Sequence, residues 1–223
     1  MRQSASVARS LIVIFADAPD AVAPFALPLG AFVIAADGGA ERARELGVRV
    51  DLVVGDFDSL APASLAAFEQ AGVRLERHPA EKDASDLELA LDGALEFDPE
   101  RVVVVGGAAG RLDHLVGELL LLAAERYSGV QIDAQLGAAA VHVVRGERRL
   151  YGSVGELMSL FAVHGVAAGV TTEGLRYPLH RETLVPGSSR GLSNVFAAPD
   201  VRVSVEDGVV LAICPSGSAW AGS

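Results

Sequence analysis

The sequence predicts an α/β fold: an N-terminal, mostly parallel α/β sheet domain (residues 1–135) followed by a small, sandwich-like all-β domain (136–223). Three observations carry this. Over the first two-thirds of the chain, short β-rich runs alternate with amphipathic helical stretches, the pattern of strands joined by crossover helices. Several of those runs are apolar throughout, as in strands covered on both faces. Beyond about residue 135 the helical periodicity stops and strand follows strand, as in a sandwich.

Taken in order, the first domain has strands at 11–16, 31–35, 51–55, 73–78 and 101–106, with helices at 39–46, 61–71, 86–96 and 112–126 between and after them. The last helix is read from Leu112, Leu115, Val116, Leu119 and Ala123 at helical spacing, with Glu118 and Glu125 off that stripe. Arg2 and Arg9 precede the apolar run Leu11-Ile12-Val13-Ile14-Phe15-Ala16, but the run is shorter than the roughly 7–15 residues of a secretory core, so it reads as a buried first strand. The second domain has strands at 129–135, 139–145, 147–151, 156–163, 166–172, 184–185, 193–197, 201–206 and 209–214. Glu206-Asp207-Gly208-Val209 predicts a tight hairpin, because Asp-Gly suits a two-residue turn. Residues 217–223 read as a loose tail.

Composition narrows the function. Of 223 residues 51% are apolar, so a substantial core is available. A formal charge of −11 argues against nucleic acid or an anionic membrane surface as partner. It leaves nucleotides open, since a metal ion can bridge acidic side chains to phosphates. The single cysteine, Cys214, lies in an apolar run and reads as a buried, inert thiol. No run approaches the roughly 20 apolar residues of a membrane span. A soluble, cytoplasmic protein is expected.

The chemistry is concentrated in four segments, each following a predicted strand. Ala36-Asp37-Gly38-Gly39-Ala40 follows the second, Gly55-Asp56-Phe57-Asp58-Ser59 the third, Lys82-Asp83-Ala84-Ser85-Asp86-Leu87-Glu88 the fourth, and Gly106-Gly107-Ala108-Ala109-Gly110-Arg111-Leu112-Asp113-His114 the fifth. Open α/β sheets bind ligands at that edge. Asp56 and Asp58 are the most telling, because two like charges two residues apart repel unless a cation sits between them. A hard divalent cation, which takes oxygen ligands, fits best. Asp37 before two glycines also suits a plain turn, and Asp86 also suits the first turn of a helix capped by Ser85 and Glu88. The glycines at 106, 107 and 110 leave backbone N–H groups open for phosphate, with Arg111 and His114 as donors and Asp113 as a metal or hydroxyl partner. There is neither a Gly-x-x-x-x-Gly-Lys-Ser/Thr loop nor a Gly-x-Gly-x-x-Gly turn opening a βαβ unit. Metal-assisted phosphate chemistry on an α/β domain is as far as residue types and spacing reach.

At these residues the sequence resembles the thiamine pyrophosphokinase (thiamine diphosphokinase) family. Asp37-Gly38-Gly39-Ala40, Gly55-Asp56-Phe57-Asp58-Ser59, Lys82-Asp83-x-Ser85-Asp86-Leu87-Glu88 and Gly110-Arg111-Leu112-Asp113-His114 are similar to its motifs in order and spacing. Gly155-Glu156-Leu157-Met158-Ser159-Leu160-Phe161, Thr172-Glu173-Gly174-Leu175-Arg176-Tyr177-Pro178-Leu179 and Gly191-Leu192-Ser193-Asn194 extend the likeness through the second domain. The resemblance implies Mg2+-dependent transfer of a pyrophosphoryl group from ATP to the hydroxyl of thiamine, by a homodimer with thiamine bound between the α/β domain of one subunit and the β-domain of the other. It implies Asp37, Asp56, Asp58 and Asp86 as the metal-site acids. Asp37, Gly38, Gly39, Lys82, Gly110, Arg111 and His114 would face the nucleotide, and Arg111 and Asp113 would lie beside the transferring group or the substrate hydroxyl. Tyr177 would stack on the thiamine rings, with Ser193 and Asn194 at the pyrimidine. The first domain would then be catalytic and the second would bind thiamine and dimerise.

Three positions depart from the family pattern. Ala16-Asp17-Ala18-Pro19 stands where a glycine-rich turn is usual, so Asp17 is left out of the expected site. Glu118 stands where asparagine is common, and Ala109 where glycine or threonine is frequent. Two other functions fit the same residues: a pyrophosphokinase for another heteroaromatic alcohol such as a pterin, and a non-catalytic regulator that binds thiamine or nucleotide. The intact acids argue against the second.

Overall fold

A computed structural model of the chain describes residues 10–17, 27–81 and 83–220. By compactness it divides into two units, the first ending at Arg111 and the second beginning at Leu112.

The first unit is built on five parallel strands: β1 (Leu11–Phe15), β2 (Phe32–Ala36), β3 (Leu52–Gly55), β4 (Arg74–Arg77) and β5 (Arg101–Gly106). Their spatial order is β5-β1-β2-β3-β4, every neighbouring pair parallel. The apolar runs sit where their composition demands. Ile12–Phe15 of β1 and Val102–Val105 of β5 are fully or almost fully buried, whereas the outer strand β4 carries Arg74, Glu76 and Arg77, charges that discourage further edge pairing. Helices α1 (Gly39–Glu45), α2 (Pro62–Gln70) and α3 (Asp86–Leu95) connect the strands. The chain proceeds outward from β1 to β4 and then returns to place β5 on the other side of β1. The strand order thus reverses beside β1, and a crevice at the carboxyl ends there is the usual ligand position in such sheets. Gly39, the first residue of α1, sits so close to the end of β1 that a Cβ on it would lie 2.1 Å from the carbonyl oxygen of Phe15. Only glycine lets α1 start against that strand.

The second unit opens with α4 (Leu112–Leu122) and a short 3-10 turn (Glu125–Tyr127), then β6 (Gln131–Leu136), β7 (Ala139–Tyr151), β8 (Leu157–Glu173), β9 (Glu182–Leu184), β10 (Asn194–Val195) and β11 (Asp200–Cys214). Its strands pair antiparallel with one another: β6 with β7, β7 with β11, β11 with β8, and β8 with both β9 and β10. The division by compactness falls earlier than the 135/136 boundary read from the sequence. Here β6 runs along β7, and Arg145 of β7 donates to the carbonyls of Ala123 and Ala124 just past α4 (2.6 and 3.1 Å), so α4 and β6 both group with the long antiparallel strands.

Three expectations for this unit are corrected. Asp207-Gly208 is not a hairpin turn. Val201–Val205 and Val210–Cys214 pair antiparallel with β7, and Arg202–Ser204 and Val209–Ile213 with β8, so β11 runs straight through and absorbs the Asp-Gly pair as an irregularity in register. Gly208 has φ 89, and a Cβ there would lie 2.4 Å from the carbonyl oxygen of Val166. The same conformational freedom that suits a tight turn suits a bulge. Likewise 139–145 with 147–151, and 156–163 with 166–172, are the halves of single long strands. The C-terminal segment is not loose as far as it is described. The Ala219 N–H donates to Gln135 Oε1 (2.9 Å) and Ala219 is fully buried. Cys214 is buried as expected, and burial pushes its thiol up to about 11.

Among the described residues no helix is long and apolar enough to cross a membrane. The second unit does bury an ionic cluster. Asp133 of β6 is fully buried and receives the Arg148 guanidinium on both oxygens (2.9 and 3.2 Å), with His142 Nδ1 at 2.8 Å from Oδ1. Losing the cation leaves the buried carboxylate to His142 and a 3.3 Å bond from Gln131 Nε2, so Arg148→Ala is expected to cost about 3 kcal/mol in denaturant unfolding. Wild-type stability in that variant would show that Asp133 is compensated by other means.

Candidate active site

Three of the acids named from the sequence, Asp37, Asp56 and Asp58, gather at the carboxyl edge of the parallel sheet. Asp37 is the first residue past β2, in the turn into α1, and has left-handed φ 42. Its N–H donates to the carbonyl of Val54 in β3 (2.8 Å), which ties the turn to the neighbouring strand. Asp56 and Asp58 flank Phe57 just past β3. The Asp58 N–H donates to Asp56 Oδ1 (3.0 Å), and Phe57 is held at φ 68. A left-handed conformation at a bulky residue costs about 1–3 kcal/mol and persists only where the surroundings enforce it. One oxygen each from Asp37, Asp56 and Asp58 lie within 4.8 Å of one another.

The three carboxylates are not equivalent. Asp58 is exposed, Asp56 half-buried, and Asp37 only 9% exposed. Ser59 Oγ donates to Asp37 Oδ2, but Asp37 Oδ1 is buried without a hydrogen-bond partner. Burial raises the pKa of Asp37 above its ordinary value, the Ser59 hydrogen bond opposes this, and the charges of Asp86, Asp56 and Asp58 add to the rise. Asp86 enters at the start of α3, where the Ser85 side chain accepts from the Glu88 N–H (3.2 Å). The capping arrangement and an electrostatic influence on Asp37 therefore coexist in one segment. A buried orphan oxygen beside two further carboxylates is a donor set of hard oxygens, which fits a divalent cation.

The other expected residues fall as follows. Gly38 caps α1 and Gly39 begins it. Lys82 lies outside the described residues. Gly110 (φ 99) and Arg111 are exposed at the end of the first unit, and Asp113 and His114 are exposed in the first turn of α4 at the start of the second. In the second unit Tyr177 is 54% exposed, with the Arg176 guanidinium 5.8 Å from its ring centroid. Asn194 is buried, accepts from the Tyr177 N–H (3.0 Å) and donates to the Tyr177 carbonyl (2.7 Å). Its amide is thus spent on fixing Tyr177. Ser193 is exposed at φ 55, its N–H held by Ser159 Oγ (3.1 Å).

Three residues at the acidic edge were not foreseen. Ser59 stood in a quoted motif with no role attached. Asp17, left out of the expected site, brings its carboxylate to the turn: a Cβ on Gly38 would lie 2.9 Å from Asp17 Oδ1 and 3.2 Å from Ser59 Oγ. Its place at the end of β1 was the available signal. Arg77, closing β4, donates from Nη1 to the Asp56 carbonyl (2.8 Å) and stacks on the Phe57 ring at 4.7 Å.

Comparison with known proteins bears on both units. The family model described as thiamin pyrophosphokinase, catalytic domain, matches residues 29–133, and that described as thiamin pyrophosphokinase, vitamin B1 binding domain, matches 141–210. The chain belongs to the thiamine pyrophosphokinase family. Among curated relatives of this family, thiamine pyrophosphokinase of Bacillus subtilis (strain 168) is 29% identical over 192 residues, covering 81% of this chain and 85% of its own. Thiamine pyrophosphokinase 1 of Oryza sativa subsp. japonica is 22% identical over 209 residues, with 81% and 77% covered. Among solved family structures, thiamin pyrophosphokinase from Geobacillus thermodenitrificans matches with TM-score 0.79 at 28% identity over 93% of this chain and 98% of its own. The Bacillus subtilis structure shares the fold with TM-score 0.82 at 23% identity over 93% and 100%.

The raised pKa of Asp37 has a consequence for stability. Below the ordinary carboxylate range Asp37 is protonated both folded and unfolded and costs nothing. As pH rises from that range through the higher folded value, ionisation is penalised only in the folded protein and stability falls. In buffer containing a chelator, Asp37→Asn is therefore expected to melt above wild type at pH 7, with the difference closing as pH approaches about 4. Melting curves that stay parallel across this range would contradict the assignment.

Proposed function

We propose that this member of the thiamine pyrophosphokinase family catalyses the Mg2+-dependent transfer of a pyrophosphoryl group from ATP to the hydroxyl of thiamine, giving thiamine diphosphate and AMP. The observation that supports it most is the convergence of Asp37, Asp56 and Asp58, with one buried oxygen left unpaired, in a chain whose two parts match the catalytic and the vitamin B1-binding models of one family.

In this reading Asp37, Asp56 and Asp58 hold Mg2+, with Asp86 beside them. When bound, the ion neutralises phosphate charge and polarises the group being transferred. The chain's own residues supply position. Ser59 fixes one Asp37 oxygen, leaving the other for the ion. The family resemblance assigns Gly38, Gly39, Lys82, Gly110, Arg111 and His114 to the triphosphate, whose charge backbone N–H groups and cations would offset. The thiamine hydroxyl oxygen attacks the β-phosphorus, the bond from that phosphorus to the α–β bridging oxygen breaks, and AMP leaves. The hydroxyl proton passes to a carboxylate, for which Asp86 and Asp113 are the candidates; Arg111 steadies the transferring group. Tyr177 offers an exposed aromatic face for the cationic thiazolium, held in place by Asn194, while Ser193 faces the pyrimidine.

We further assign the first domain to catalysis and the second to thiamine binding and dimerisation, with the second domain closing as a sandwich about the irregularities in β8 and β11. Leu112, Val116 and Leu120 form an exposed apolar row at four-residue spacing along α4, which a second copy of the chain would cover. A homodimer with thiamine between subunits is the assembly that the family resemblance implies. ATP as co-substrate points to the cytoplasm.

Purified chain given Mg-ATP and thiamine should release AMP and thiamine diphosphate in equal amounts, and chelation of the metal should stop it. Turnover of a pterin alcohol but not thiamine would replace the acceptor, and thiamine binding without AMP release would make the chain a binding protein. Asp56→Asn and Asp58→Asn are each expected to lower kcat by at least about 10²-fold through loss of metal-centred charge stabilisation, with circular dichroism unchanged. Near-normal rates in both would exclude the metal assignment.

A further inference from the structure

Arg77 ends the outer strand β4, and the register of that strand sets it opposite Gly55, the residue just before Asp56. Its guanidinium touches the acidic turn twice, through the Nη1 bond to the Asp56 carbonyl (2.8 Å) and through stacking on the Phe57 ring (4.7 Å). The turn needs outside support. Phe57 sits at φ 68, and any relaxation of that torsion redirects the Asp58 side chain relative to Asp56. Burial of the Phe57 ring and the Asp58 N–H bond to Asp56 Oδ1 help to hold it. Arg77 adds a tie to a neighbouring strand, gripping both the carbonyl before Phe57 and the ring itself.

We propose that Arg77 is a positioning residue: by keeping Phe57 left-handed it makes Asp56 and Asp58 converge with Asp37, and so sets the affinity for the divalent cation without touching it. This rests on the acids holding such an ion, as proposed above. Two effects of the guanidinium oppose each other. As a positive charge it repels the cation, so its loss would tighten binding. As a clamp it maintains the ligand geometry, so its loss would weaken binding. Arg77 is exposed, and water and salt screen the repulsion. The torsion it restrains is not screened, so the clamp dominates. A planar guanidinium can stack and donate at once, which an ammonium cannot.

The test is Mn2+ titrated into the full chain without nucleotide, with the free ion followed by electron paramagnetic resonance. Arg77→Met is expected to raise the Mn2+ Kd about 10-fold, the low end for loss of an outer partner of metal ligands, and Arg77→Lys to fall between it and wild type. In turnover, Arg77→Met should raise the Mg2+ concentration for half-maximal rate by a similar factor, while kcat at saturating Mg2+ stays within about 3-fold of wild type. A merely structural role would instead lower kcat at unchanged half-saturation. Unchanged or tighter Mn2+ binding by Arg77→Met, where Asp56→Asn abolishes it, overturns the role of Arg77 and leaves the cation site standing. Absence of Mn2+ binding in wild type overturns both.

Discussion

Carboxylates brought within 4.8 Å of one another repel, and Asp37 adds the cost of leaving water, since it is nearly buried with one oxygen unpaired. A solvated turn would serve equally well between β2 and α1, and a single acid would cap α3. The arrangement is unfavourable as it stands, and the cation proposed for it would offset that repulsion. The Ser59 hydroxyl shows the same division of labour within one side chain. It satisfies one oxygen of Asp37 and thereby orients the other.

The scaffold makes the concentration of charge feasible. Where neighbouring strands are parallel, as the five of the first unit are, each delivers its end to the same edge, so β1, β2, β3 and β4 bring Asp17, Asp37, Asp56 and Arg77 to one rim. Backbone strain accumulates there too, with left-handed φ at Asp37 and Phe57. Such strain is tolerated where a rigid, buried sheet enforces it, and it is typical of places where side chains must point in directions that relaxed turns do not supply. The closeness of α1 to β1, permitted by Gly39, belongs to the same design.

Much of this was legible in one dimension. Fully buried strands announce themselves by unbroken apolar runs, which is why Leu11–Phe15 and Arg101–Gly106 were legible as strands and why the segment at 106–114 could be set at a strand end. Antiparallel strands were harder. A bulge and a hairpin use the same residues, because both need a residue that accepts left-handed φ, and only the pairing partner distinguishes them. Gly208 is the example: its flanks continue along β7 and β8 rather than folding back on each other. Asn194 shows a related limit. The family resemblance names it for the pyrimidine, and only the structure shows its amide bonded to the backbone of Tyr177.

The sequence by itself determined the parallel sheet, the antiparallel strands after it, the family, and the identity of the acids, because periodicity, composition and short motifs are local properties that survive without coordinates. Tertiary structure decided which acids meet and how unequal they are. Desolvation of Asp37, the grip of Ser59 on it, the approach of Asp17 and the clamp of Arg77 on the turn all join residues on different strands. Their energies depend on distances through space that no spacing along the chain encodes.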